Sequence, residues 1–174
     1  MSKRRVEREA VAQPQDKSIR YIVLTKGQLA TVDAKNYEWL NQWNWHALKR
    51  NCGNGYYAVR KSGPAKNRET VYMHRLILGL KGKLQGDHKN RNTLDNRLEN
   101  LRPATASQNR CNVRKANMSG YKGVRWRAGK WVAEITVKGI YTYLGRFPEK
   151  EDAARAYNKA ALRHEGEFAV LNGV

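Results

Sequence analysis

Trp131-Val132-Ala133-Glu134-Ile135-Thr136-Val137 (residues 131–137) sets Trp131, Ala133, Ile135 and Val137 against Val132, Glu134 and Thr136. The period is two, which is the pattern of a strand with two distinct faces. Gly129 and Gly139 bracket the stretch and mark two tight hairpins. The reading is therefore three strands, at about 121–127, 130–137 and 140–147. A helix follows from about Pro148 or Glu149 to His164. Glu149, Glu151 and Asp152 suit its positive N-terminal end, and Gly166 suits the position just past its C-terminus. Alanines at 153, 154, 156, 160 and 161 allow the helix to lie close on a sheet. Val170 and Leu171 return to the core. The segment is a complete small α+β domain of about 55 residues, near the lower limit for independent folding.

Upstream, the character of the chain changes. Residues 81–118 are rich in Asn, Asp, Lys and Arg, too polar to form a core alone. Further back, Ile22-Val23-Leu24 and Leu29-Ala30-Thr31-Val32 read as strands joined at Gly27. Asp33 reads as the cap of a short helix over Ala34–Gln42. Trp39, Trp43 and Trp45 read as a small core. Tyr56-Tyr57-Ala58-Val59 and Val71-Tyr72-Met73 read as strands flanking a loop over Lys61–Arg68. His74–Leu80 reads as a short helical run, and His74 itself as a hydrogen-bonded structural histidine. Residues 1–19 read as a mobile basic tail, touching phosphate or simply solvated.

The chain of 174 residues carries 34 Lys+Arg against 15 Asp+Glu, a formal charge of +19. A field of that size calls for a polyanion, and nucleic acid leads because each neutralised phosphate releases condensed counterions. The most apolar stretch, Leu76–Leu80, is far too short for a membrane span or a signal-peptide core. The two cysteines, Cys52 and Cys111, are far apart, and no two of His46, His74, His88 and His164 have metal-ligand spacing. A zinc site and a disulfide framework are both disfavoured. The expected setting is intracellular, in the cytoplasm of a bacterium or a phage-infected host, and not secreted.

Gly86-Asp87-His88-Lys89-Asn90 lies in the polar middle, with Asn100-Leu101-Arg102 and Thr105-Ala106-Ser107-Gln108-Asn109 after it. Leu101-Arg102 can pair back as a second short strand, and Thr105 is a good helix N-cap. Such a strand–strand–helix hairpin can bring Asp87, His88, Asn100 and Asn109 together. Phosphodiester hydrolysis asks for such groups: a base for the attacking water and a cation for the charge that grows on phosphate. A neutral histidine serves as base near pH 7. A carboxylate and an amide oxygen are hard ligands suited to Mg²⁺ or Mn²⁺. Spacing alone leaves a turn-rich loop with a surface histidine open.

The blocks Val71-Tyr72-Met73-His74-Arg75-Leu76-Ile77, Gly86-Asp87-His88, Leu94-Asp95-Asn96-Arg97-x-Glu99-Asn100-Leu101-Arg102 and Thr105-x-x-Gln108-Asn109 closely resemble the HNH homing endonucleases, in the subgroup of phage and bacterial mobile elements that lacks structural zinc. The resemblance covers roughly residues 70–115. It implies a ββα-metal hairpin with one divalent cation, Mg²⁺ or Mn²⁺. By position, Asp87 and Asn109 look like the metal ligands, His88 like the general base and Asn100 like the residue that orients it. Asn109 stands where many HNH nucleases have a second histidine. Arg75 and Arg102 are candidates for contact with the scissile phosphate.

In the C-terminal domain Arg125, Trp126, Arg127, Lys130 and Trp131 interleave basic and aromatic residues, and Tyr141 and Tyr143 repeat the alternation. Such a sheet face can lie in a DNA groove, or it can be an exposed cationic sheet whose aromatics are core. Tyr121-Lys122-Gly123-Val124-Arg125-Trp126-Arg127, Gly129-Lys130-Trp131-Val132-Ala133-Glu134-Ile135, Tyr143-Leu144-Gly145-x-Phe147 and Glu151-Asp152-Ala153-Ala154-x-Ala156-Tyr157 resemble the AP2/ERF DNA-binding domain. That resemblance covers residues 119–172. It implies a three-stranded antiparallel sheet packed on one helix, with the sheet in the major groove. By position, Lys122, Arg125, Arg127, Glu134, Thr136, Tyr141 and Tyr143 fall at its DNA-contacting places. Thr136 and Tyr141 replace arginines typical of the plant domains, so base preference does not carry over.

The expected architecture is α+β. A mobile tail (1–19) precedes a mixed α/β nuclease domain (20–115) whose ββα-metal core spans about 84–113, and a DNA-binding domain follows (116–174). The expected function is site-specific cleavage of double-stranded DNA by a protein acting as a monomer, of the homing or mobile-element kind. The alternative is a non-catalytic DNA-binding regulator with a vestigial nuclease unit. An RNA-binding protein ranks third, because no RRM or KH signature is present.

Overall fold

A computed structural model describes residues 10–50, 55–64, 66–111 and 117–174; the expected basic tail falls largely on residues 1–9, outside the described residues. The fold is α+β. By compactness the chain divides into two units, 1–103 and 104–174. The division falls within the segment 84–113 and assigns its last part to the second unit.

In the first unit β1 (Ile19–Val23) and β2 (Leu29–Asp33) form an antiparallel hairpin, with Val23 paired to Leu29. Lys26 and Gly27 both adopt positive φ, 60° and 63°, the turn whose twist matches that of paired strands. The helix α1 (Ala34–Asn41) starts after Asp33 as expected, but the Asp33 carboxylate does not cap it. Instead Oδ2 accepts a hydrogen bond from the Leu98 backbone N–H at 2.8 Å. The tryptophan expectation needs a similar correction. Trp45 is wholly buried, and its indole N–H donates to the Leu40 carbonyl at 2.8 Å. Trp43 packs edge-on against it, whereas Trp39 at the outer end of the row is 40% exposed. The core is completed by Ile22, Leu24, Ala30, Val32, Leu40, Ala47, Ala58 and Met73.

A three-stranded antiparallel sheet follows, β3 (His46–Lys49), β4 (Tyr56–Ser62) and β5 (Glu69–Tyr72), with β4 in the middle. Strand β4 runs into the expected loop as far as Ser62, because Lys61 and Ser62 pair with Thr70 and Glu69. Met73, expected to end a strand, opens helix α2 (Met73–Ile77) and is fully buried. Then come β6 (Gln85–His88), a 3-10 turn (Leu98–Asn100) and β7 (Leu101–Ala104), which pairs with β6.

The second unit begins with α3 (Ala106–Cys111). The Thr105 hydroxyl accepts from the Gln108 N–H at 3.3 Å, and Gln108 Oε1 accepts from the Thr105 N–H at 2.8 Å; this reciprocal pair is a capping box. The strands β8 (Val124–Arg127), β9 (Lys130–Val137) and β10 (Ile140–Phe147) form an antiparallel sheet with β9 central. Residues 121–123 lie outside β8 because they form a turn, in which Gly123 takes a φ of 71°. Both hairpins turn through positive φ, at Ala128-Gly129 and Lys138-Gly139. Helix α4 (Lys150–Glu165) lays Ala153, Ala154, Tyr157 and Ala161 on the sheet against Val124, Ala133 and Ile135. Among the described residues no helix is long and apolar enough to cross a membrane.

Candidate nuclease site and DNA-binding face

Asp87 and His88 close strand β6, and both side chains are almost out of solvent, 3% and 4% exposed. Four hydrogen bonds fasten the polar segment that succeeds them. The Thr31 N–H donates to the Leu94 carbonyl at 2.9 Å, and the Asn96 N–H donates to Thr31 O at 2.7 Å. The Thr93 hydroxyl donates to Tyr56 O at 2.7 Å. The Asp33 carboxylate holds Leu98, as above. The first hairpin and the middle strand of the sheet thus fasten a segment too polar to hold itself.

Within that segment Asn100 is buried. Its Oδ1 accepts from the Asn90 N–H at 2.9 Å, and its Nδ2 donates to the Asp95 carbonyl at 2.8 Å. Its own carbonyl accepts from the Lys89 N–H at 2.9 Å. These bonds tie the two ends of the loop together directly behind His88. Asp95 is gripped by the Arg97 fork, Nε to Oδ1 and Nη2 to Oδ2, both at 2.8 Å, and by Asn90 Nδ2 at 2.8 Å. Burial acts to raise the Asp95 pKa, yet these bonds hold it below the usual range.

Arg102 on β7 donates from Nε to Asp87 Oδ2 at 2.8 Å, and both partners are buried. The pair crosses the β6–β7 ladder and sets the carboxylate. Asn96, fully buried, brings Oδ1 to 3.5 Å from His88 Nε2. Burial depresses the His88 pKa, against the opposing effects of the Asn96 contact and the charges of Asp87 and Asp95. The result is an imidazole that stays neutral near pH 7, as a general base requires. The sequence reading gave Asn96 no role; its place in the Asp95-Asn96-Arg97 block was the available signal.

His74 of α2 packs its ring edge-on to His88, with centroids 4.9 Å apart. It is buried among Tyr57, Tyr72 and His88. Burial first, then the charges of His88 and Arg75, push it down to about 3. Among the described residues its buried Nδ1 has no hydrogen-bond partner, which departs from the hydrogen-bonded histidine expected there. Arg75 donates to the Leu84 and Gly82 carbonyls, the latter at 3.3 Å, and so braces the loop before β6. Asn109 lies on α3, in the second compact unit.

Among the described residues no three His, Cys, Asp or Glu side chains converge as a metal cluster. The Asp87 carboxylate in the first unit and the Asn109 amide in the second are each oxygen donors by residue type. Both are hard donors that fit Mg²⁺ or Mn²⁺ completed by water and phosphate.

In the second unit strand register puts Arg125, Arg127, Lys130, Glu134, Thr136, Tyr141 and Tyr143 on one face of the sheet, opposite the helix. Arg125 pairs with Val132, Arg127 with Lys130, Tyr141 with Thr136 and Tyr143 with Glu134. All of them are exposed except the half-buried Glu134. The Glu134 carboxylate is held by Arg125 Nη2 at 2.5 Å and by the Tyr141 hydroxyl at 3.0 Å. Lys122 lies in the turn before β8, with its ammonium 5.9 Å from the centroid of the Tyr157 ring on α4. Its backbone N–H and carbonyl are clasped by the Asn172 amide at 2.7 and 3.0 Å. Asn158 of α4 in turn clasps the Asn172 backbone. Trp126 packs edge-on against Trp131, at 4.9 Å.

Comparison with known proteins adds identity to this geometry. A family model described as AP2 domain matches residues 119–167, and one described as HNH endonuclease matches residues 71–111. An uncharacterised HNH endonuclease of Acanthamoeba polyphaga mimivirus is 30% identical over 154 residues, covering 86% of this chain and 77% of the relative. An ethylene-responsive transcription factor of Arabidopsis thaliana is 48% identical over 54 residues, 30% of this chain and 28% of the relative. An AP2/ERF and B3 domain-containing protein of Oryza sativa subsp. japonica is 47% identical over 55 residues, 31% of this chain and 15% of the relative. The chain spans less than a third of either plant protein.

Proposed function

The chain belongs to the HNH endonuclease family and carries an AP2 domain behind the nuclease segment, and on that premise we propose that it is a site-specific, metal-dependent endonuclease of double-stranded DNA. The observation that carries the reading is the Asp87-His88 pair, buried at the end of β6 with Arg102 on the carboxylate and a neutral imidazole beside it. Asp87 and Asn109 would hold one Mg²⁺ or Mn²⁺. When bound, such an ion stabilises the charge that develops on the phosphate and the leaving oxygen.

The residues of the chain supply the rest. His88 takes a proton from the attacking water. Asn100 keeps the loop behind His88 in one conformation, and Asn96 faces its ring. Arg102 fixes the Asp87 carboxylate. Arg125, Arg127 and Lys130 bring phosphate and base-edge contacts on the AP2 sheet, with Glu134, Thr136, Tyr141 and Tyr143 on the same face, and Lys122 adds its charge from the turn before β8. Two DNA-binding units on one chain raise the affinity of both through effective concentration. Acting as a monomer, one HNH site nicks one strand. The zinc-free HNH resemblance supports a homing or mobile-element role.

A second reading, a DNA-binding regulator whose nuclease unit is vestigial, is favoured by the likeness of the AP2 segment to plant transcription factors. Retention of Asp87, His88, Asn100 and Asn109 supports the enzyme instead. The test is to incubate the protein with a large DNA pool and Mg²⁺ or Mn²⁺, beside His88→Ala. Cleavage by the parent alone is expected. Binding by both, with cleavage by neither under any divalent cation, overturns the enzymatic reading in favour of the regulator.

A further inference from the structure

Gly86 precedes the Asp87-His88 pair on β6, and its backbone does not require glycine, since its φ is not among the positive values of the chain. What requires glycine is space. A Cβ at residue 86 would stand 2.3 Å from His74 Cδ2, 3.3 Å from Nε2 and 3.4 Å from Cγ. The strand that carries the nuclease residues is therefore shaped to admit the His74 ring. That ring reaches past residue 86 and meets the His88 imidazole edge-on at 4.9 Å and 71°. Tyr57 closes the group, 5.6 Å from His74 and 6.4 Å from His88. His74 is only 6% exposed, and among the described residues its buried Nδ1 has no hydrogen-bond partner. An orphan nitrogen of this kind costs folding stability, and an apolar residue would avoid the cost, so packing alone does not account for a ring held here.

We propose that His74 is a positioning residue for the proposed base: its ring, admitted by Gly86 and backed by Tyr57, fixes the plane of the His88 imidazole. The idea rests on the reading of His88 as the general base. His74 touches no reacting atom in this role; it limits the orientations His88 can sample. The quadrupole of an aromatic ring favours such an edge-to-face arrangement over a parallel sandwich. An aliphatic side chain fills the space without fixing the plane of its neighbour.

The experiment uses the full chain with His74→Ala, His74→Phe and Gly86→Ala. Imidazole ¹⁵N spectra report the His88 ring, thermal unfolding reports the fold, and kcat and KM report DNA cleavage. His74→Ala should blur or shift the His88 nitrogen signals and lower kcat by about tenfold or more, the scale at which a misplaced group acts. KM should change by less than about twofold, because substrate binding is untouched. Gly86→Ala should behave like His74→Ala. His74→Phe keeps an edge-on ring and should hold the His88 signals in place, with kcat within about threefold of the parent.

Parent-like His88 signals and kcat in folded His74→Ala overturn the proposal, as does a loss in His74→Phe equal to that in His74→Ala. If His74→Ala does not fold, Gly86→Ala carries the test, and a parent-like result there overturns the proposal. If the parent itself does not cleave DNA, the enzymatic reading falls alone, and the ¹⁵N signals still decide whether His74 sets the ring.

Discussion

Arg102 Nε lies 2.8 Å from Asp87 Oδ2 with both side chains buried. Removing one member of a buried pair leaves the other charge uncompensated, and the cost exceeds the net contribution of the intact pair. Arg102→Met should destabilise the first unit by about 3 kcal/mol. Asp87→Asn in the Arg102→Met background should restore part of that. Urea unfolding of the single and double variants measures both, and a change within error of the parent for Arg102→Met would show that the pair is not structural.

Acid should weaken the same unit through His74. Its folded pKa of about 3 lies below the ordinary histidine value of 6.5, so between those values the unfolded chain binds the proton and the native fold does not. Stability therefore rises with pH across that window and is lost as pH falls below about 6.5. From pH 7 to pH 5 the loss from this group is about 2 kcal/mol, taken as an order of magnitude. Buried His88, shifted in the same direction, adds to it. Urea midpoints against pH for the parent and His74→Phe check this: the variant should show the shallower dependence, and parallel curves would contradict it.

The Gly123 turn of the AP2 unit tolerates no side chain. A Cβ there would lie 2.1 Å from Tyr157 Cδ2 and 2.5 Å from the Glu134 carbonyl, and the residue has a φ of 71°. Gly123→Ala combines overpacking with a strained backbone, and should cost about 3 kcal/mol or more in the second unit. Calorimetry should show the corresponding transition shifted down or lost, while Gly129→Ala, with open space around it, suffers only the backbone strain.

Salt dependence separates phosphate contact from base readout on the exposed sheet face. Replacing Arg125 and Arg127 with Ala should weaken DNA binding and make the slope of log K against log salt shallower by roughly 0.9 per lost phosphate contact. An unchanged slope with lost affinity would assign those side chains to base edges. Glu134→Gln removes the carboxylate that holds Arg125 at 2.5 Å, and should change sequence preference more than the salt slope, as competition on a panel of DNA sites would reveal.

Much of the fold was legible because its causes are local. The alternation across 131–137, the paired positive-φ positions at Ala128-Gly129 and Lys138-Gly139, and the Thr105–Gln108 cap all depend on residues within a few positions of each other. The limits of the sequence reading appear where neighbours in space are distant in the chain. Asp33 looked like a helix cap, but its carboxylate found the Leu98 N–H, 65 residues on. Trp39 belongs by spacing with Trp43 and Trp45, yet α1 ends at the edge of that core and leaves it half in solvent. Met73 reads as strand by its neighbours and is helical because burial against the first core decides its place.

The sequence by itself determined the chemistry available. It carries Asp87, His88, Asn100 and Asn109 in the order of the HNH endonucleases, a cationic-aromatic strand trio behind them, and a positive charge suited to a polyanion. Residue types and short spacings encode such things directly. Tertiary structure decided what surrounds each group: that Arg102 meets Asp87, that Asn96 and His74 face His88, and that burial keeps His88 neutral. Those facts depend on which elements pack together, and only chain folding over tens of residues brings them into contact.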